Sequence, residues 1–214
     1  MSRQAHTVRI VSCGQVACHA LKAGGGVAFP VSGFEDAPYA EANGEILWVG
    51  THLPAMHPRA VVTSLAVPRG IELRFDVVPV HGWAGESPVL DNSIPYAELE
   101  RLRGTVLNLS PKGFGAWLAG QPLPFPLGLA ASRLQRLSDA YENDDPDALG
   151  EAAAGLLGFG TGLTPSGDDL VGASLFARRI LGHWNERWQA AAEELAQLVE
   201  RRSHRLSASL FRDL

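Results

Sequence analysis

Residues 158–169 read GFGTGLTPSGDD, with four glycines, a Thr-Pro pair, a serine and two adjacent aspartates in twelve positions. Apolar, helix-like sequence lies on both sides. Glycine costs backbone entropy and is kept where the chain needs positive φ or where another group approaches the backbone closely. Packing alone does not account for a loop this rich in glycine between two helices. Two familiar readings fail here. Gly162 and Gly167 have the G-x-x-x-x-G spacing of a phosphate-binding P-loop, but Asp168-Asp169 follow where Lys-Ser/Thr is required. A dinucleotide fingerprint starting at Gly160-Thr161-Gly162 needs a third glycine where Pro165 stands, and a preceding strand where residues 148–157 read as helix.

The same residues support a helix start. Thr164 before Pro165 fits an N-cap followed by proline at the first helical position, where its missing N–H costs nothing. Ser166 with Asp169 three residues on is a competing capping-box frame. In either frame Asp168 and Asp169 fall in the first turn, where the helix dipole favours negative charge. The plain account is a capped, buried helix. The sharper one is a binding loop in which Gly160, Gly162, Thr164, Ser166 and Gly167 hold an anionic group. Asp168 or Asp169 then positions a substrate amide or a magnesium ion. Adjacent helical residues point about 100° apart, so the two carboxylates should divide the work. Asp168 is expected to face the ligand, because Asp169 serves the Ser166 frame.

The GLTPSGDD core, with Gly158 and Gly160 before it and Gly172 in the apolar segment after it, resembles the signature of the AllH-like family. That family is named for the third subunit of the oxamate carbamoyltransferase of allantoin breakdown. A fainter likeness covers residues 202–208, Arg202-Ser203-His204-Arg205-Leu206-Ser207-Ala208, where the family tends to carry threonine in place of Ser203. The first half resembles the family only in general layout. The resemblance implies a carbamoyltransferase subunit acting on small amides such as oxamate with carbamoyl phosphate. It also implies partner subunits, and a C-terminus that continues beyond Leu214.

Composition narrows the class. The chain has 214 residues, 46% of them hydrophobic, and a net charge of −5. Residues 1–92 carry six basic and eight acidic side chains, and the remainder twelve and fifteen. Neither half is basic, which argues against a nucleic-acid or membrane-surface partner. Residues 8–11 are too short an apolar run for a signal peptide, so a soluble, cytoplasmic protein is expected. Cys13 and Cys18 match no common zinc motif and read as buried strand cysteines in a reducing compartment. The histidines at 19, 52, 57 and 81 show no metal-ligand spacing, and no metal site is assigned.

The hydrophobic period divides the chain. Residues 7–12, 27–31, 45–52, 60–65 and 71–80 are β-branched or alternating runs. Gly24-Gly25-Gly26, Pro54, Pro58 and Pro68-Arg69-Gly70 punctuate them, and Asn43-Gly44 signals a tight hairpin turn. This predicts an antiparallel sheet that curls or closes over residues 1–92. From Ser93 the period is helical. Helices are expected over 95–103 with Gly104 as the stop, 111–118, 126–141, 146–157, 170–184 and 186–201. Residues 106–109 are ambiguous, and 121–126 read as an extended apolar connector lying against the body. The small residues Gly172, Ala173, Ser174 and Ala177 suit a buried central helix. Arg202, Arg205 and Arg212 fall at helical spacing on one face. The expected fold is therefore α+β, with a β-rich part over 1–92 and a helical part over 93–214 that carries the loop. The two parts could form one compact unit.

Three functions compete at this stage. One is the carbamoyltransferase subunit that the resemblance implies. The second is a non-catalytic module that senses a small anion, and the third a stand-alone magnesium-dependent hydrolase using the two aspartates.

Overall fold

The structure is a computed structural model describing residues 6–31, 38–52, 56–68, 70–76, 78, 81–84, 96–108 and 113–213. The expectations at Pro54, Arg69, Ser93, Pro95, Leu109, Ser110 and Pro111, and the far end of the 71–80 run, lie outside the described residues. The chain divides into two compact units, Met1–Glu86 and Ser87–Leu214, with an apolar core in each. Among the described residues no helix is long and apolar enough to cross a membrane.

The first unit contains strands β1 (His6–Val8) and β2 (Ile10–Cys13), helix α1 (Gln15–Ala23), and strands β3 (Val27–Pro30), β4 (Tyr39–Ala42), β5 (Glu45–Gly50), β6 (Ala60–Thr63) and β7 (Leu73–Phe75). They form one sheet in the order β1-β7-β3-β4-β5-β6-β2. Its two edge strands are consecutive in sequence, with only Arg9 between them. A sheet whose outer edges are joined by one residue must curl until they meet, and the result is a nearly closed barrel, as the short strands suggested.

Local turn chemistry marks the β4–β5 hairpin. Asn43 and Gly44 both take positive φ, 47° and 81°, the condition for a type I′ turn. Two pairings, β1 with β7 and β5 with β6, are parallel, so the sheet is mixed. Such long-range pairings leave no local sequence signal. A partly buried ion pair lies beside the second: Arg59, 5% exposed, meets the half-buried Glu45 at 2.6 Å.

Helix α1 corrects the reading of the first half as strands alone. Its buried residues Ala17, Cys18, Ala20 and Leu21 follow a helical period, but alanines and a cysteine make a weak apolar stripe. Cys18 is therefore a helix residue and only Cys13 a strand one. Both are free thiols. Burial and the neighbouring Cys18 push the Cys13 thiol up to about 12, which keeps it protonated and unreactive.

The second unit contains helices α2 (Tyr96–Asn108), α3 (Gly115–Leu118), α4 (Ala131–Glu142), α5 (Pro146–Ala154), α6 (Ser166–Ile180), α7 (Glu186–Arg202) and α8 (Arg205–Phe211), with a 3-10 turn at Leu127–Ala130 before α4. Gly104 does not stop α2. A glycine inside a helix costs only about 1 kcal/mol, and the helix runs through it. The connector at 121–126 is split. Leu123 packs on the core, while Phe125 is 87% exposed. Helix α6 is one-sided rather than central. Val171 and Leu175 are buried, and Gly172 lets the Phe211 ring come close, but Phe176 is half exposed.

The acidic run after α4 caps one helix and pairs with others. Asp145 accepts from the amides of Asp147 and Ala148, both at 3.1 Å, and caps α5. Asp144 accepts from the indole N–H of Trp188 at 2.8 Å and pairs with Arg178. The Arg178 guanidinium lies 3.6 Å from the centre of the Trp188 ring, and Tyr141 stacks against that ring at 5.4 Å. Trp188 is wholly buried. It therefore joins apolar burial, a hydrogen bond and a cation–π contact at one residue. Trp188→Ala should destabilise the helical unit by about 3–5 kcal/mol, read as a lowered urea midpoint. A loss below about 1 kcal/mol would contradict this account.

Candidate functional site

After α5 the chain drops Leu156 and Leu157 into the helical core, which anchors the start of the glycine loop. Two carbonyls at the end of α5 have lost their helical donors, and arginines replace them. Arg202 Nη1 donates to the Ala154 oxygen at 3.0 Å, and Arg133 Nη1 to that of Gly155 at 2.8 Å. Phe159 then stacks on Phe114 at 6.2 Å. Gly158, Gly160 and Gly162 all take positive φ, 75°, 121° and 99°, which is the requirement their density suggested. Gly167 is needed for a different reason. A Cβ there would sit 1.9 Å from the Leu156 carbonyl oxygen, so the first turn of α6 rests directly on the backbone that precedes the loop. The Gly167 amide donates to the Phe159 carbonyl at 2.8 Å in the same contact.

The helix start differs from both expected frames. Pro165, with φ −53° and ψ 142°, is itself the N-cap, and no side chain caps it. The amides of Asp168 and Asp169 both donate to its carbonyl, at 2.9 and 3.1 Å. Thr164 is freed from capping and donates its hydroxyl to Asp169 instead.

The burial of the two aspartates is the reverse of the expected one. Asp168 is 2% exposed. Its Oδ1 accepts the Gly158 amide at 2.7 Å, and its Oδ2 accepts the Ser203 hydroxyl. It is the carboxylate that serves the protein. Asp169 is exposed and lies beside the loop. Partial burial pushes its proton affinity up, the Thr164 hydrogen bond opposes this, and the Asp168 charge adds to the rise. The Ser166 frame pointed the other way because sequence does not show where the loop folds back. Asp168 turns toward the Gly158 amide, and one helical step carries Asp169 away from it.

The structure therefore brings together Gly160, Gly162, Thr164, Ser166, Gly167 and Asp169 around one helix start, with Asp168 beneath. The amides of residues 160–164 and of Ser166 donate to no backbone oxygen among the described residues. Gly162 has open space where a Cβ would stand. No group of three or more histidines, cysteines or carboxylates suited to a metal occurs among the described residues, and both Asp168 oxygens already accept hydrogen bonds. Cavities among the described residues include one of about 730 Å³ between α5 and α7 and one of about 280 Å³ against the sheet; neither is lined by the loop.

The arginine face expected at 202, 205 and 212 does not form. Arg202 ends α7, Ser203 is extended at φ −123° and ψ −174°, and α8 starts anew at Arg205 with His204 as its cap. Sequence reasoning assigned no role to Ser203 or Ser207. Yet Ser207, buried in α8, donates to the Leu163 carbonyl at 3.4 Å. The one signal was the faint family likeness of the segment that contains both.

Residues 156–213 match the family model of oxamate carbamoyltransferase subunit AllH. The match takes in the loop, α6, α7 and α8, and so contains both segments on which the AllH resemblance rests. Residues 1–155 lie outside it. No curated protein and no solved structure matches the chain significantly.

Two outcomes follow for the aspartates. Asp168→Ala strands the Gly158 amide and the Ser203 hydroxyl, and should lower stability by about 1–3 kcal/mol in a denaturant titration. Asp169 holds its proton more tightly folded than unfolded, so its charge weighs against folding once the pH rises through the folded pKa. Asp169→Asn should therefore melt above the parent at neutral pH, with the gap closing as the pH falls toward about 4, the ordinary carboxylate range. A gap that widens on acidification would reverse the assignment.

Proposed function

We propose that the chain is a subunit of an oxamate carbamoyltransferase-type enzyme of allantoin and purine nitrogen breakdown, working in the cytoplasm with other subunits that complete its site. The observation that carries this reading is the exposed Asp169, its proton affinity raised by partial burial, beside positive-φ glycines, with the amides of residues 160–164 donating to no backbone oxygen among the described residues. The family match supports it. In this proposal the helical part, residues 93–214, supplies the loop, and the β-rich part, residues 1–92, is a separate division of the chain.

Oxamate carries a carboxylate and a primary amide on adjacent carbons. Backbone amides of Gly160, Gly162 and Ser166 at the positive end of α6 suit its carboxylate, or the phosphate of carbamoyl phosphate. Asp169 accepts an amide N–H and orients the nitrogen toward the carbamoyl carbon. The new N–C bond forms as the C–O bond to phosphate breaks. The amide proton passes to Asp169 and phosphate departs. A carboxylate whose proton affinity is raised serves this transfer better than an ordinary one.

A non-catalytic anion-sensing role is the second reading. It is favoured by the structural work already done by Gly167 and Asp168, which leaves fewer residues for chemistry.

The test is to purify the tagged full chain with its bound subunits from its own host and follow oxamate-dependent phosphate release from carbamoyl phosphate. Asp169→Asn should lower the rate by about 10²–10⁴-fold, the usual contribution of a positioned acid or base, without lowering the melting temperature. Unchanged turnover in that variant, or no oxamate-dependent release from the wild-type assembly, would overturn the proposal.

A further inference from the structure

We infer that the corner between α7 and α8, residues 202–207, is the positioning device of the glycine loop, with Ser203 and Ser207 as positioning residues. Its value for catalysis rests on the carbamoyltransferase reading; the positioning itself rests on geometry alone.

The corner touches the loop at its start, its middle and its end. At the start, the Arg202 carbonyl oxygen lies 3.0 Å from where a Cβ on Gly158 would stand, so only glycine passes without displacing it. In the middle, the Ser207 hydroxyl donates to the Leu163 carbonyl. At the end, Ser203 donates to Asp168, whose other oxygen holds the Gly158 amide. The Arg202 side chain also takes the Ala154 carbonyl just before the loop. Residues 160–164 have little else to hold them, since their amides find no described backbone acceptor. A glycine-rich segment with so few internal bonds samples many conformations unless something outside imposes one.

The break between α7 and α8 acquires a reason here. A continuous helix would carry residue 203 past on a fixed spiral. Extended backbone at Ser203, with His204 accepting the Leu206 amide to restart the helix, presents the Ser203 hydroxyl to Asp168. It also brings Ser207 round to Leu163. Loop and corner are both inside the matched segment, 156–213. Asp169 sits one residue from the clamped carboxylate, so the corner sets where its carboxylate can point.

Native-state hydrogen exchange on the full chain tests this without any ligand. Ser203→Ala should speed exchange of the hydrogen-bonded amides of Gly158, Phe159 and Gly167 by about tenfold or more, the effect of losing one hydrogen bond to a charged group. Peptides from α4 and α5 should keep their rates. Ser203→Thr retains the hydroxyl and should return the loop to within about twofold of wild type. Ser207→Ala should speed exchange at the Gly167 amide more than at the Gly158 amide. Unchanged loop exchange in Ser203→Ala, failure of threonine to restore it, or an equal rise throughout the helical unit would each overturn the inference. In the purified assembly, Ser203→Ala should lower kcat for carbamoyl transfer and Ser203→Thr should recover it. An assembly that transfers no carbamoyl group overturns the functional reading only, because the exchange rates still decide the positioning.

Discussion

A single buried carboxylate organises the helical unit around its glycine loop. Asp168 receives one hydrogen bond from the backbone at the loop's start and another from the α7–α8 corner. A charge at 2% exposure is tolerable only when its oxygens are satisfied. Its need for donors therefore dictates where Gly158 and Ser203 must sit. The helix dipole of α6 adds to this, since Asp168 lies in the first turn. Two features that distinguish the loop from an ordinary helix connection meet this carboxylate directly: the turn at Gly158 and the end of α7 at Ser203.

The division of labour between neighbouring aspartates follows from the same constraint. One carboxylate is committed to the fold, and a helical step of about 100° sends the next one outward. Asp169 thus obtains its position from a neighbour that is held by the fold, and part of its raised proton affinity from that neighbour's charge. Sequence shows that two adjacent acids begin a helix. It does not show which is buried, because that depends on a backbone amide ten residues earlier and a hydroxyl thirty-five residues later.

What was legible in the sequence had a local cause. The Asn43-Gly44 turn, the helical period of residues 186–201 and the positive φ of the loop glycines are all set by residues close in sequence. Helix α1 was hidden because its buried stripe is made of small residues and begins directly after a strand. The reversed burial of Asp168 and Asp169, the broken arginine face and the parallel strand pairs were hidden for a different reason. Each depends on contacts between segments far apart in the chain, which no periodicity encodes.

The single residue between β1 and β2 also has a temporal consequence. His6 lies beside Leu73, and Ile10 beside Thr63, so both strands must wait for partners made some fifty or more residues later. Each closure has to overcome the entropy of a long loop before any ladder bond rewards it. The β4–β5 hairpin, closed by two turn residues, has no such delay. The first strands to be synthesised are thus the last to be paired. Until they dock, the exposed edges of β7 and β6 are open to neighbouring chains, and their capture closes the sheet against such pairing.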